Sequence, residues 1–331
     1  NPEKFKKNKK VKIEVEKEMI RLSDIILEQN GKPKAVIMAG GAGAGKSYLL
    51  KQLGLEGLKN YNPDTYVEDE NHPFFNNLSA ASGQVDKDVV AASEKGESFI
   101  WDTTASNTSK VRDLIAKGYD VFMVMVYTHP IISFIGNFSR DRRIPKASVF
   151  STWNKVYNLI DDYKGLLGDN FALFVNLRGG KFDKEIADFN KAAEKGAEGI
   201  EGYLQSYMEA NGGREAFKST FSKPFKLPDD LEKEFRTLAS NTSADLEDES
   251  TYKALAKDFQ KYHHHFQSGK YGADRIQDKY DKLLVTKDKL AQTALADLGD
   301  ISQTLFDPNF QDLLKSSSVK EIDSKLQRFL S

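Results

Sequence analysis

Eight consecutive residues carry the sharpest chemical signal in this sequence: Gly40, Gly41, Ala42, Gly43, Ala44, Gly45, Lys46 and Ser47, a G-x-x-x-x-G-K-S run. Glycine and alanine are small enough for successive backbone N–H groups to close around phosphate oxygens. A helix starting directly behind them adds its partial positive charge. Lys46 is then placed to reach the β- and γ-phosphates of ATP, and the Ser47 hydroxyl to ligate Mg²⁺. Tyr48, just past the run, and Arg143, further along, join it as expected nucleotide contacts. The bland alternative is an accidental glycine-rich turn. The strand-like Lys34-Ala-Val-Ile-Met-Ala39 before the run and the helical Tyr48-Leu-Leu50 after it argue against that.

Transfer of a phosphoryl group to a hydroxyl needs a carboxylate to take the proton, and in α/β sheets such groups sit just past the carboxyl ends of strands. Asp64, in Asn62-Pro-Asp-Thr-Tyr66, meets this requirement; its competing role is to cap a turn or helix. Asp102 ends the apolar run Phe99-Ile-Trp-Asp102 and, with Thr103 and Thr104 beside it, suits the Mg²⁺ shell or the acceptor, against a plain capping role. Arg140, Arg142 and Arg143 cluster ahead of Pro145. Guanidinium groups on a lid stabilise the charge spread over a transferring phosphoryl group, although loop arginines are often only solvated surface.

Positioning these groups requires a sheet. From Lys34 to Leu177 short apolar runs alternate with helical patterns, which predicts βαβ units and a parallel sheet covered on both faces. Strands are expected at Ala35–Ala39, Leu58–Asn62, Ser98–Asp102, Val121–Tyr127 and Phe171–Val175. Helices are expected near Lys46–Leu53, Val85–Ser93, Ser109–Lys117, Ile131–Ser139 and Ser148–Lys164, with His129-Pro130 as a strand-to-helix turn. The fold class is therefore α/β: a P-loop NTPase three-layer sandwich with a mainly parallel five-stranded sheet, followed by a helical C-terminal region. Three parts are expected: a basic segment and helix over 1–30, the helix itself spanning Val11–Gln29; a P-loop kinase domain over 31–180; and helices over 181–331, beginning with Asp183–Met208. His263, His264 and His265 point in different directions on a helix, which favours a solvated helical role over a metal tract.

Bulk properties narrow the function. The net charge is −1 with 29% charged residues, so no global positive field holds the chain on nucleic acid; the basic run Lys4 to Lys12 is the only local feature favouring it. The absence of cysteine removes disulfides and thiolate chemistry and fits a reducing, cytoplasmic setting. The most apolar stretch, Val121 to Phe138, is broken by Tyr127, Thr128, His129 and Pro130, so no membrane span is expected. No secretory signal is read near Asn1, and a start at Asn1 leaves room for residues before it.

By order of motifs, Lys32 to Gly180 resembles the zeta-toxin group of P-loop kinases, kin of polynucleotide kinases and chloramphenicol phosphotransferases. After the P-loop, Asn62-Pro-Asp-Thr-Tyr66 and His72-Pro-Phe-Phe75 stand where the family has an Asn-Asp-Thr-Phe-like stretch and then His-Pro-x-Phe. Ile100-Trp-Asp-Thr-Thr104, Lys117-Gly-Tyr119, Arg140 with Arg142-Arg-Ile-Pro145, and Phe171 to Gly179 follow in family order. The resemblance implies Asp64 as catalytic base, Arg140 and Arg142 on the γ-phosphate, and a small-molecule acceptor, UDP-N-acetylglucosamine, phosphorylated on its 3′-hydroxyl. The segment between Asp64 and Ser98 is shorter than the family's, and the tail after Gly180 lies outside its pattern and could dock an antitoxin-like partner. The resulting expectation is an ATP- and Mg²⁺-dependent kinase with Lys46, Asp64, Arg140 and Arg142 catalytic, Ser47 and Asp102 on the metal, and Asp64, Asp102 and Thr104 at the acceptor. Two rivals stand beside it: a 5′-hydroxyl polynucleotide kinase, and an assembly protein that binds nucleotide without transfer.

Overall fold

The computed structural model describes residues 31–55, 58–75, 77–140, 143–217, 225–242, 244, 246 and 249–331. The expected leading helix over Val11–Gln29, the basic run Lys4 to Lys12 and the lid residue Arg142 lie outside them. The described chain falls into two units: Asn1–Phe221 with Asp297–Ser331, and Ser222–Ala296.

The first unit is an α/β fold around five strands: β1 (Lys34–Ala39), β2 (Asn60–Tyr61), β3 (Phe99–Asp102), β4 (Asp120–Tyr127) and β5 (Phe171–Val175). They lie in the order β2-β3-β1-β4-β5, and every pairing is parallel. The continuous apolar run of β4, Val121-Phe-Met-Val-Met-Val126, is what a strand buried on both faces requires. Alternation sends Ala35, Ile37, Trp101, Met123 and Met125 to one face, and Val36, Met38, Ile100, Phe122 and Val124 to the other.

Between the strands run α1 (Lys46–Gln52), α2 (Pro63–Glu68), α3 (Leu78–Glu94), α4 (Ser109–Ala116), α5 (Pro130–Phe138), α6 (Lys146–Tyr157) and α7 (Ile160–Leu167). After β5 come α8 (Asp183–Ala193), α9 (Gly196–Ala210), α10 (Gly213–Ala216), α11 (Asp229–Ala239), α12 (Glu249–Gln267), α13 (Ala273–Phe306), α14 (Pro308–Leu313) and α15 (Val319–Leu330). The first face of the sheet is covered by α3 to α9 and the end of α13, through Val85, Phe134, Trp153, Phe189, Leu204 and Ile301 among others. The second face is covered by α1, through Leu49 and Leu50, and by the last helix, α15, through Ile322, Leu326 and Leu330. A capping box starts α15: Ser318 Oγ accepts the Glu321 amide, and the Glu321 carboxylate accepts the Ser318 amide.

Several element boundaries differ from the sequence reading, each for a local reason. The second strand shortens to Asn60–Tyr61, because Asn62 and Pro63 start α2 in place of the turn expected there. Asn62 accepts the Asp64 amide at 2.9 Å, and proline at the first helical position has no amide to lose. The single helix expected over Ser148–Lys164 is two, parted at Asn158 and Leu159. Asp183–Met208 likewise divides before Gly196, whose φ of +76° ends the helical path.

The second unit has its own core, in which Leu227, just ahead of α11, is buried together with Phe235, Leu255, Ala256, Phe259 and Ile276 on α11, α12 and the first part of α13. His263 on α12 lies 3.1 Å from the Glu234 carboxylate. Among the described residues no helix is long and apolar enough to cross a membrane.

Candidate active site

With all five strands parallel, their carboxyl ends share one edge, and the chain reverses its winding between β1 and β4, where α/β sheets open a crevice. The Gly40–Ser47 loop leaves β1 at this point. Gly43 has φ +73°, and a Cβ there would lie 2.7 Å from the Ser133 carbonyl of α5, so loop and helix touch only because the side chain is missing. Gly45, at φ +97°, caps α1 in the same left-handed region.

The backbone carbonyls of this loop are held from within it and from outside. Lys46 Nζ donates to Gly40 O at 3.1 Å, and the Ala44 amide to Gly41 O at 3.3 Å. Ser133 Oγ donates to Ala42 O, Arg178 Nη2 to Gly43 O at 2.8 Å, and Asn176 Nδ2 to Ala44 O at 2.7 Å. Tyr157 Oη accepts the Gly41 amide at 3.3 Å and donates to Val126 O at 2.8 Å. The Gly41 and Ala44 amides are engaged in this network, and the N-terminus of α1 adds its orphan donors beside it. Asn176 also fastens the strand ends: its amide donates to Tyr127 O at 2.8 Å, and its carbonyl accepts from Thr128 Oγ1 at 2.7 Å.

Beside the loop, Lys46 Nζ lies 3.6 Å from Asp102 Oδ1 at the tip of β3. Asn62 Nδ2 donates to Asp102 Oδ2 at 3.5 Å, so one asparagine caps α2 and supports the buried acid. Burial pushes the Asp102 carboxyl up, against the opposing pull of Lys46. Asp64 sits in the first turn of α2, half-buried, with Arg140 Nη1 at 4.0 Å from its Oδ2. The structure therefore brings Lys46, Asp64, Asp102 and Arg140 to one end of the sheet around the cradle.

The remaining expected residues are placed differently. Ser47 and Thr104 are exposed, the latter on a loop that Tyr163 pins through the Ala105 and Asn107 carbonyls. Arg143 Nε donates to Arg140 O at 3.1 Å and its Nη1 to Ala216 O at 2.5 Å. Tyr48 is exposed on α1 and lines a cavity of about 540 Å³ with Ile135, Phe174 and Leu177. Gly136 and Arg178 border the same cavity.

Five supporting residues were given no role of their own in the sequence reading: Asn62, Ser133, Tyr157, Asn176 and Arg178. Asn176 and Arg178 carried a usable signal, since they follow β5 just as Asp64 follows β2. Ser133 and Tyr157 lie inside apolar helices, where nothing marks them out.

His129 caps α5 with Nδ1 accepting the Ile131 amide at 3.4 Å, and its Nε2 lies 2.9 Å from Asn190 Oδ1, so Nε2 carries the proton. Burial pushes its pKa down from 6.5 to about 4. The fold thus refuses a proton that the unfolded chain accepts between pH 6.5 and 4, and stability is lost as pH falls through that window. Relative to His129→Asn, the wild-type protein is expected to lose up to about 3 kcal/mol more on going from pH 7 to pH 4, read by urea unfolding. Parallel pH profiles for the two proteins would contradict this.

Residues 19–144 match the family model described as zeta toxin, a stretch that holds the cradle, Asp64, Asp102 and Arg140 to Arg143. No curated protein matches the sequence. Among solved structures, the crystal structure of AvrRxo1-ORF1:-ORF2 with ATP is similar over 53% of this chain and 64% of that chain, at 18% identity and a TM-score of 0.37. The chain thus spans less than two thirds of that relative's length. The PezAT chromosomal toxin-antitoxin system of the human pathogen Streptococcus pneumoniae is similar over 48% of this chain and 76% of that one, at 14% identity and a TM-score of 0.34. A sulfotransferase domain from the Synechococcus PCC 7002 olefin synthase covers 62% and 84%, at 15% and 0.28.

Proposed function

We propose that this chain, through a P-loop domain of zeta-toxin type, transfers the γ-phosphate of ATP to a hydroxyl of a small-molecule acceptor. The observation that carries the reading is the position of Asp64, paired with Arg140 at the carboxyl edge where the cradle opens and the Lys46–Asp102 ion pair stands. In this reading the base of ATP occupies the cavity bordered by Tyr48, Ile135 and Phe174, whose volume of about 540 Å³ suits a small ligand. The phosphates lie on the loop amides. Asp64 takes the proton of the acceptor hydroxyl; the new O–P bond forms as the bond between the γ-phosphorus and the bridging oxygen breaks, and ADP leaves with the electron pair. Lys46 and Arg140 hold the charge that develops on the transferring oxygens. Arg142 belongs to the same proposal through its place in the sequence.

Mg²⁺ fits the oxygen donors available. The Ser47 hydroxyl and the Asp102 carboxylate would hold it, a sparse protein shell of the kind this ion accepts when substrate phosphates complete the coordination. Bound there, the ion would neutralise charge on the phosphate oxygens.

The acceptor assigned by this proposal is a nucleotide sugar, with UDP-N-acetylglucosamine the first candidate, and an antitoxin-like protein is the proposed partner. The test is γ-labelled ATP incubated with nucleotide sugars, nucleosides and oligonucleotides, reading which product carries label. Label on a nucleotide sugar is the expected result. Label on oligonucleotides alone would move the acceptor class to nucleic acid, and bound ATP with label on nothing would favour a nucleotide-sensing assembly protein.

A further inference from the structure

We propose that Arg178 contacts the inner phosphates of the bound nucleotide, those common to ATP and ADP, as a second guanidinium at the cradle besides Arg140. The proposal rests on the nucleotide-binding reading above and adds to it a residue from beyond the stretch that the family model matches.

Three observations lead to it. The first is backbone shape. Arg178 has φ +55°, left-handed for a residue with a side chain, and Gly179 and Gly180 follow at +61° and +82°. A non-glycine residue in this region is held there by its surroundings, and such positions gather at ligand clamps. Here Asn176 Oδ1 accepts the Arg178 amide at 3.2 Å while its Nδ2 grips Ala44, so the turn that aims Arg178 is fastened to the cradle itself.

The second is the seat of the guanidinium. Nη2 donates to Gly43 O at 2.8 Å. A Cβ built on Gly136 would lie 3.6 Å from that nitrogen, and one built on Gly45 would lie 3.8 Å from the guanidinium carbon. The flat group therefore rests across three glycines at the cradle rim. It also borders the 540 Å³ cavity proposed for the base, which puts it, in this proposal, beside the inner phosphates.

The third is charge. Among the described residues no carboxylate lies within ion-pairing distance of Arg178, while Arg140 is near enough for its charge, second to burial, to lower the Arg178 pKa. Arg140 has Asp64 beside it, whereas Arg178 has no such partner among the described residues, so its charge is left to be met by an anion at the cradle. One Arg178 N–H is used on Gly43, and a guanidinium carries five such donors, so phosphate oxygens can be met without releasing the loop.

The experiment is calorimetric titration of wild-type protein, Arg178→Lys and Arg178→Gln with ATP, ADP and adenosine, alongside thermal melts. Glutamine keeps a donor for Gly43 O and removes the charge; lysine keeps the charge and loses the fork. The expected result is a loss of about tenfold or more in ADP and ATP affinity for Arg178→Gln, equal for the two nucleotides, with a smaller loss for Arg178→Lys and an unchanged adenosine affinity. Unchanged ADP affinity, or ADP and adenosine weakened alike, would reduce Arg178 to a support for the loop and overturn the proposal. So would a loss confined to ATP, which would move the contact to the γ-phosphate. A wild-type protein that binds neither ATP nor ADP would instead refute the nucleotide reading on which this rests.

Discussion

Asp64→Asn is expected to lower the rate of phosphoryl transfer by about 10²- to 10⁴-fold, the range for a positioned general base, while ATP affinity stays equal or rises slightly. The substitution keeps the shape of the side chain and removes its basicity. Asn62 accepts from the Asp64 amide, not from its carboxylate, so the cap of α2 survives and the variant should fold. Asp102 is not expected to stand in as base, because in this account its carboxylate holds Mg²⁺ beside Lys46 and Asn62. Initial rates with a labelled acceptor, set against ATP titration, separate the two effects. A fall in rate of less than about fivefold, below the range of general-base catalysis, would remove Asp64 from the mechanism.

Gly43→Ala is expected to reduce ATP affinity by at least about 100-fold and to lower stability by about 3 kcal/mol, combining left-handed strain with backbone clash. The added Cβ would stand 2.7 Å from Ser133 O, 3.1 Å from Asn137 N and 3.2 Å from the Gly136 carbonyl carbon. All three are backbone atoms of α5, so no side chain can turn aside. Either the loop shifts and its amides lose their aim, or α5 moves and takes Ser133 off the Ala42 carbonyl. Gly54→Ala is the matched control: its φ is +64°, yet nothing lies within 4 Å of the new Cβ. That variant should lose about 1 kcal/mol and keep full ATP affinity. Equal behaviour of the two variants in calorimetry and melting would mean that contact between the cradle and α5 is unimportant.

The cradle was legible because its chemistry is written in consecutive residues, with strand and helix patterns on either side. Asp64 and Asp102 followed from a rule about strand ends, and that rule reached as far as the strands were placed correctly. Applied to the end of β5 it would have found Asn176 and Arg178 as well. Ser133 and Tyr157 were beyond reach for a different reason: they meet the loop across 91 and 116 residues of chain, and no local spacing encodes such a contact. The helix at Pro63–Glu68 was hidden by reading Asn62-Pro63 as a turn, although an asparagine cap followed by proline also opens helices. The apolar spacing of Ile322, Leu326 and Leu330 marks an amphipathic last helix. Its place on the sheet face beside α1 depends on packing that periodicity does not specify.

The most direct measurement is a crystal structure with Mg²⁺ and a non-hydrolysable ATP analogue. The account predicts the triphosphate on the amides of the Gly40–Ser47 loop, its terminal phosphate between Lys46 and Arg140, and the Asp64 carboxylate facing that phosphate from the acceptor side. An analogue bound away from the loop, or an Asp64 side chain turned out of the crevice with the analogue in place, would contradict it.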